Sequence, residues 1–328
     1  MGRETKVSIN GAANNPIDVV RYAELKPCYD AFIDTRTPGS DQKENFTIIG
    51  PGVSENPDQH VHIARPHGFN IGGARQPPGC TNSQHSHDTA EFFYVHSGTW
   101  SFDLGETGED ASIALKPGDA ISIPTQLFRG FENVGEDVGY LFAVLGGDDP
   151  GHVLWAPYVF DMAEEYGLVL LENGSLIDRL KGEAVPQGMA PMPRTTKEQV
   201  AALQRLDADA LRNVCVISDE DVPGDTQDGV KRRLLVHPQG KLNWPHEFQI
   251  EEVSLAKGSS LELASIDEAQ VVFVQKGEVG LASGEMKEVL AKGDTATIRP
   301  GAPRALETDG AEAAIVLIVT GTEPPATP

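Results

Sequence analysis

The chain has no run of roughly 18 apolar residues, so no segment of it is read as a membrane-crossing helix. Cysteine is scarce: Cys28, Cys80 and Cys215 are odd in number and far apart, which excludes a disulfide framework and fits reduced thiols. Met1-Gly2-Arg3-Glu4-Thr5-Lys6 lacks an apolar stretch behind it, so no secretory signal is expected and the cytoplasm is the expected compartment. Basic residues are few, 26 Lys and Arg against 49 Asp and Glu, for a formal charge of −23. Nucleic acid is therefore not an expected partner, because phosphates need a basic stripe. Lys231-Arg232-Arg233 is too short to be one and reads as a solvated strand end. What the chain does have is glycine and proline, 34 and 23 residues, as many short strands joined by tight turns require. At 328 residues about two domains are expected.

Gly79–Gly98 carries the densest chemical pattern. It reads G-C-T-N-S-Q-H-S-H-D-T-A-E-F-F-Y-V-H-S-G and sets His85, His87 and Glu91 at i, i+2 and i+6. Side chains alternate along a strand, so all three fall on one face. Two imidazoles and one carboxylate without a thiolate suit a divalent first-row metal. Cys80 lies five residues before His85 but is read as a packed thiol. His96 sits an odd step from Glu91 and should face away from the site, as a surface or interface histidine.

The spacing G-x5-H-x-H-x3-E-x6-G resembles the first motif of the cupin superfamily, with every position filled. The second motif of that family is also recognisable, opening at Gly118-Asp119-Ala120-Ile121-Ser122-Ile123-Pro124 and closing at Asn133. Between them the family usually places a third metal-binding histidine, five residues after the proline, and here that position is Arg129. A guanidinium stays protonated and offers no lone pair to a metal. Three arrangements follow: a two-His-one-carboxylate site with open positions, a fourth ligand from elsewhere such as His152, or a barrel without metal. Arg129 is expected to clamp a substrate anion or to pair with Glu91 or Glu132. His60 and His62 share a strand face and, with His67, are read as surface or interface residues before they are read as ligands.

The resemblance implies an all-β fold of two double-stranded β-helix barrels, a cupin jelly-roll pair, joined by a partly helical linker. The expected division is 1–68 for an arm with short strands, 69–160 for a metal-binding barrel, 161–230 for the linker and 231–328 for a second barrel. Within the linker, Thr195-Thr196-Lys197-Glu198 has capping-box form ahead of Val200, Leu203 and Leu206. Gly258 and Gly277 repeat the nineteen-residue separation of Gly79 and Gly98, and Gly293-Asp294 repeats Gly118-Asp119. The chemistry does not repeat: Ala264, Ile266 and Gln270 stand where His85, His87 and Glu91 would be, and Arg304 stands where Arg129 is. The second barrel is therefore expected to hold no metal.

The resemblance further implies a metal-dependent enzyme, foremost a non-haem Fe(II) dioxygenase acting on a small aromatic or carboxylated substrate, with Mn, Ni and Zn as alternative metals. An isomerase or lyase could use the same ligands without O₂, and a non-catalytic small-molecule-binding bicupin could use none. A homodimer is expected from fold analogy alone.

Overall fold

A computed structural model describes residues 15–218, 221, 224–308 and 312–323. It is built from strands, and among the described residues no helix is long and apolar enough to cross a membrane.

The first barrel is a sandwich of two sheets. One runs, in spatial order, Val216–Ile217, Ala120–Ile123, Glu91–Ser97, Gly139–Gly146, Phe69–Gln76, Glu44–Ile49 and Val61–Ile63. The other runs Val153–Trp155, Thr81–His87, Arg129–Asn133, Trp100–Leu104 and Ala111–Leu115. Phe93, Val95 and Ile121 from the first sheet pack on Trp100, Phe102 and Phe131 from the second. Alternation along Glu91–Ser97 sends Glu91, Phe93 and Val95 inward and leaves Phe92, Tyr94 and His96 on the outer face.

That outer face is covered by the second barrel, which has the same plan. Its larger sheet orders Ile17–Val20, Thr295–Ile298, Gln270–Lys276, Ala314–Gly321, Phe248–Leu255, Val230–Val236 and Asp225–Gln227. Its smaller sheet is Ser260–Leu263, Arg304–Glu307, Glu278–Ser283 and Met286–Ala291. Aliphatic side chains such as Val272, Val274, Leu281, Leu290, Leu306 and Val316 fill the interior. Between the barrels the two larger sheets lie back to back. Phe142 stacks on Phe273 with ring centroids 4.2 Å apart, within one apolar cluster that draws Phe92 and Tyr94 from one side and Val271 and Leu317 from the other. Polar pairs thread this contact: Tyr94 donates to Glu252 at 2.7 Å, His96 Nδ1 donates to Gln275 Oε1 at 2.7 Å, and Ser122 Oγ donates to His246 Nε2 at 2.6 Å. His67 joins them through Thr297 Oγ1 at 2.7 Å. His67 and His96 are thus interface histidines, as the sequence reading allowed.

The N-terminal segment is divided between the barrels. Ile17–Val20 pairs antiparallel with Thr295–Ile298 of the second, while Glu44–Ile49 pairs with Phe69–Gln76 of the first. In the linker, Pro at the first helical position starts Pro157–Glu165. The second helix, Lys197–Ala202, does begin with a capping box, but one residue later than the sequence spacing indicates. Thr196 caps Gln199, whose side chain reaches back to the Thr196 N–H. The hydroxyl of Thr195 is used instead on the Trp155 carbonyl, 2.6 Å away.

The framing glycines differ in what they do. Gly79 and Gly98 both have positive φ, +73° and +82°, but a Cβ at Gly79 would meet nothing, whereas one at Gly98 would lie 2.6 Å from the Gly139 Cα. Gly98→Ala should therefore lose roughly 1–3 kcal/mol more than Gly79→Ala, which carries only the left-handed backbone cost. Equal losses in urea unfolding would show that the Gly139 contact relaxes freely.

Candidate metal centre

The site is made where Thr81–His87 ends and Glu91–Ser97 begins. His85 and His87 share a face two residues apart, and the short turn at Asp88–Ala90 brings Glu91 beside them. One ligand atom from each of His85, His87 and Glu91 lies within 4.8 Å of the other two, and all three residues are buried. Three ligands at about 2.1–2.2 Å from one ion lie roughly 3–3.8 Å apart, so the set closes on an ion with side-chain movements of up to about 1 Å.

Hydrogen bonds settle the tautomer of one imidazole. His85 Nδ1 lies 2.7 Å from the Ser83 carbonyl, which can only accept, so Nδ1 carries the proton and Nε2 keeps its lone pair. The Trp155 ring packs against that imidazole at 5.2 Å between centroids and is itself held by a 2.6 Å bond from Nε1 to Glu55. His87 Nε2 is 3.5 Å from Glu91 Oε2, and its Nδ1 has no protein partner among the described residues. Burial first, and the Arg129 charge second, push both imidazoles well below the ordinary histidine range, so both are neutral as ligation requires.

Arg129 is 1 % exposed and occupies the strand register opposite His85. Its Nη2 donates to Glu91 Oε2 at 2.5 Å and its Nη1 to the His85 carbonyl at 3.2 Å. Burial pushes the Glu91 carboxyl up and the Arg129 guanidinium down, and each charge partly restores the other. Of the expected roles, pairing with Glu91 is the one present. The guanidinium is engaged by Glu91 and is not among the residues that line the adjoining cavity. The Oε1 atom of Glu91 is left for a metal.

The second barrel repeats the pair without its charge: Arg304 Nη1 donates to Gln270 Oε1 at 3.1 Å. Ala264 and Ile266 lie in the loop before Gln270, with no donor atom in their side chains. Among the described residues His85, His87 and Glu91 form the one group with metal-binding geometry. His152, the candidate fourth ligand, is exposed on the far side of the turn at Asp88, whose carboxylate accepts from its backbone N–H. His60 and His62 pack edge to face on each other, with His62 Nδ1 on the Thr47 carbonyl. Cys80 is buried, and burial raises its thiol pKa.

A cavity of about 630 Å³, counting its open mouth, adjoins His85, His87 and Glu91. Phe93, Phe131 and Leu145 line it from the barrel, and the N-terminal segment supplies Phe32, Phe46 and Val53. Sequence reading missed these last three. The strand-like Phe46-Thr47-Ile48-Ile49 was the available signal, but its partner strand was not legible.

Residues 74–145 match the family described as a cupin domain. No curated protein shows a significant sequence match. Among solved structures, a mutant of oxalate decarboxylase from Bacillus subtilis is 12% identical with a TM-score of 0.58, covering 95% of this chain and 78% of that one. Vicilin from hazelnut, Corylus avellana, is 15% identical with a TM-score of 0.53 and coverages of 92% and 85%. The 7S globulin of Momordica charantia is 13% identical with a TM-score of 0.56 and coverages of 94% and 85%. At such identities the likeness speaks for the fold. Residues 74–145 thus match a cupin domain, the chain repeats that domain's two-sheet sandwich in a second barrel, and the first barrel has residues that fit a divalent metal ion.

Proposed function

We propose that the protein is a metal-dependent enzyme whose centre is held by His85, His87 and Glu91, and that it is a non-haem Fe(II) dioxygenase. The observation that carries this reading is the convergence of two neutral imidazoles and a carboxylate at the wall of a largely apolar cavity. Such a donor set occupies three coordination positions and suits Fe and Mn above softer metals. A bound metal would supply Lewis acidity and redox electrons. The chain's own contribution is geometric: Ser83 fixes the His85 tautomer, Arg129 fixes Glu91, and the aromatic walls keep water out.

Mn(II) is the first alternative, since one Bacillus subtilis oxalate decarboxylase structure is described by its Mn(II) centres. An isomerase or lyase would use the same ligands without consuming O₂. A metal-free binding protein is favoured by one specific observation, the Arg129–Glu91 pair, which balances the carboxylate without an ion. Elemental analysis and oxygen-uptake screening separate these. His85→Ala should lower bound metal at least tenfold, given that outer-shell changes alone reach that size. Equal and negligible metal in parent and variant would favour the binder.

A further inference from the structure

In the first barrel a buried guanidinium and a buried carboxylate balance each other. In the second the carboxylate is gone and the guanidinium remains. Arg129 has Glu91, whereas Arg304 has Gln270, whose side chain is neutral. Arg304 is 2 % exposed. Strand register sets it opposite Leu263 and sets Gln270 opposite Ile298. Its Nε donates to the Ala302 carbonyl at 3.0 Å and its Nη1 to Gln270 Oε1 at 3.1 Å, but Nη2 has no partner among the described residues. The amide of Gln270 is held in this orientation at its other end, where Nε2 donates to Thr320 Oγ1 at 3.0 Å.

No carboxylate among the described residues pairs with Arg304. Those on the neighbouring strands alternate to the outer face: Glu262 falls between Leu261 and Leu263, and Glu307 takes Lys287 at 2.9 Å. Burial pushes the Arg304 guanidinium down, and no opposite charge restores it as Glu91 restores Arg129. A guanidinium nevertheless stays protonated, and a buried charge without a counter-charge is strongly disfavoured. Nη2 carries two N–H donors, and charged donors of this kind favour an anionic acceptor. The surroundings limit its size. Val272, Ile298 and Leu306 fill the core of this barrel, while Leu261, Leu263 and Ala302 at its edge are only partly buried. An anion of more than one charge would leave part of that charge unmatched beside aliphatic side chains.

We propose that the second barrel binds a small monovalent anion, of halide size, on Arg304 Nη2. The anion supplies the negative charge that Glu91 supplies in the first barrel. This site is separate from the candidate metal centre and does not depend on it.

The test uses the full chain in chelator, so that no metal in the first barrel takes part. Chloride replaces gluconate, a bulky monovalent anion, at constant ionic strength, and the melting temperature is followed. The parent should gain about 2 °C or more in a rise that saturates with chloride, as binding to the folded state alone requires. Gln270→Glu rebuilds the ion pair of the first barrel. It should melt above the parent in gluconate and show no saturable rise with chloride. Arg304→Met removes the cation and should likewise lose the rise. A parent whose melting temperature does not respond to chloride overturns the inference. So does a rise that either variant keeps in full, or a drift without saturation that all three proteins share.

Discussion

Arg129→Ala should destabilise the metal-free protein by about 3–5 kcal/mol and at the same time tighten Mn(II) binding at least tenfold. The first effect follows from removing one partner of a fully buried ion pair, which leaves Glu91 charged in an apolar setting or forces it to take a proton. The second follows by linkage: an ion that neutralises Glu91 stabilises the variant more than the parent, in which Arg129 already does so. Arg129→His should go further, because it puts an imidazole where the family usually has its third histidine ligand. Calorimetric melting in chelator and in Mn(II), with direct titration of the metal, reads both effects. If the melting temperature fell equally in the two conditions and the affinity stayed fixed, Arg129 would be a packing residue with no electrostatic relation to the centre.

The second large effect is acid lability of the contact between barrels. His67, His96 and His246 are buried there, and burial lowers all three to about 4. The unfolded chain binds protons on these groups near pH 6.5, the folded chain only near 4, so stability is fully present above 6.5 and falls as the pH drops through that window. Each group contributes as much as about 3 kcal/mol, at 1.36 kcal/mol per pH unit. Protonation also turns His246 Nε2 and His67 Nε2 from acceptors of a hydroxyl into donors. Glu55 works in the opposite sense: buried and raised to about 8, it removes stability as the pH rises from about 4.5 to 8. Together these four groups place the stability maximum near pH 6.5. Urea unfolding from pH 4.5 to 8 measures the curve. His96→Gln should flatten its acid limb by about one proton, and a variant limb parallel to the parent's would remove His96 from the account.

What the sequence made legible was whatever depends on local periodicity. His85, His87 and Glu91 share a face because strand geometry repeats every two residues, and His96 falls on the other face for the same reason. The second barrel's lack of donors was legible from the repeat of its glycines. Parity gives a face but no distance, so it left Arg129 divided among Glu91, Glu132 and a substrate, and the 2.5 Å contact with Glu91 needed coordinates. Phe46 could not be assigned to the cavity because its placement depends on pairing with Phe69–Gln76, a long-range choice, and Phe32 and Val53 lie in irregular segments on either side of that strand. Adjacent threonines hid the cap, since spacing alone does not say that Thr195 is spent on Trp155. The face between barrels was visible only as an apolar run, Phe92-Phe93-Tyr94-Val95, with no sign of what covers its outer side.

The first strand of the described chain has a partner that is among the last to be made. Ile17 pairs with Ile298, and Arg21 just beyond it holds Asp294 and Glu288. At about 5–20 residues per second, synthesis leaves that strand waiting on the order of tens of seconds for its neighbour. The segment that follows it carries Phe32, Phe46 and Val53 to the mouth of the cavity. Glu44–Ile49 can thus pair with Phe69–Gln76 of the first barrel early, whereas Ile17–Val20 finds its partner only once Thr295–Ile298 has been made.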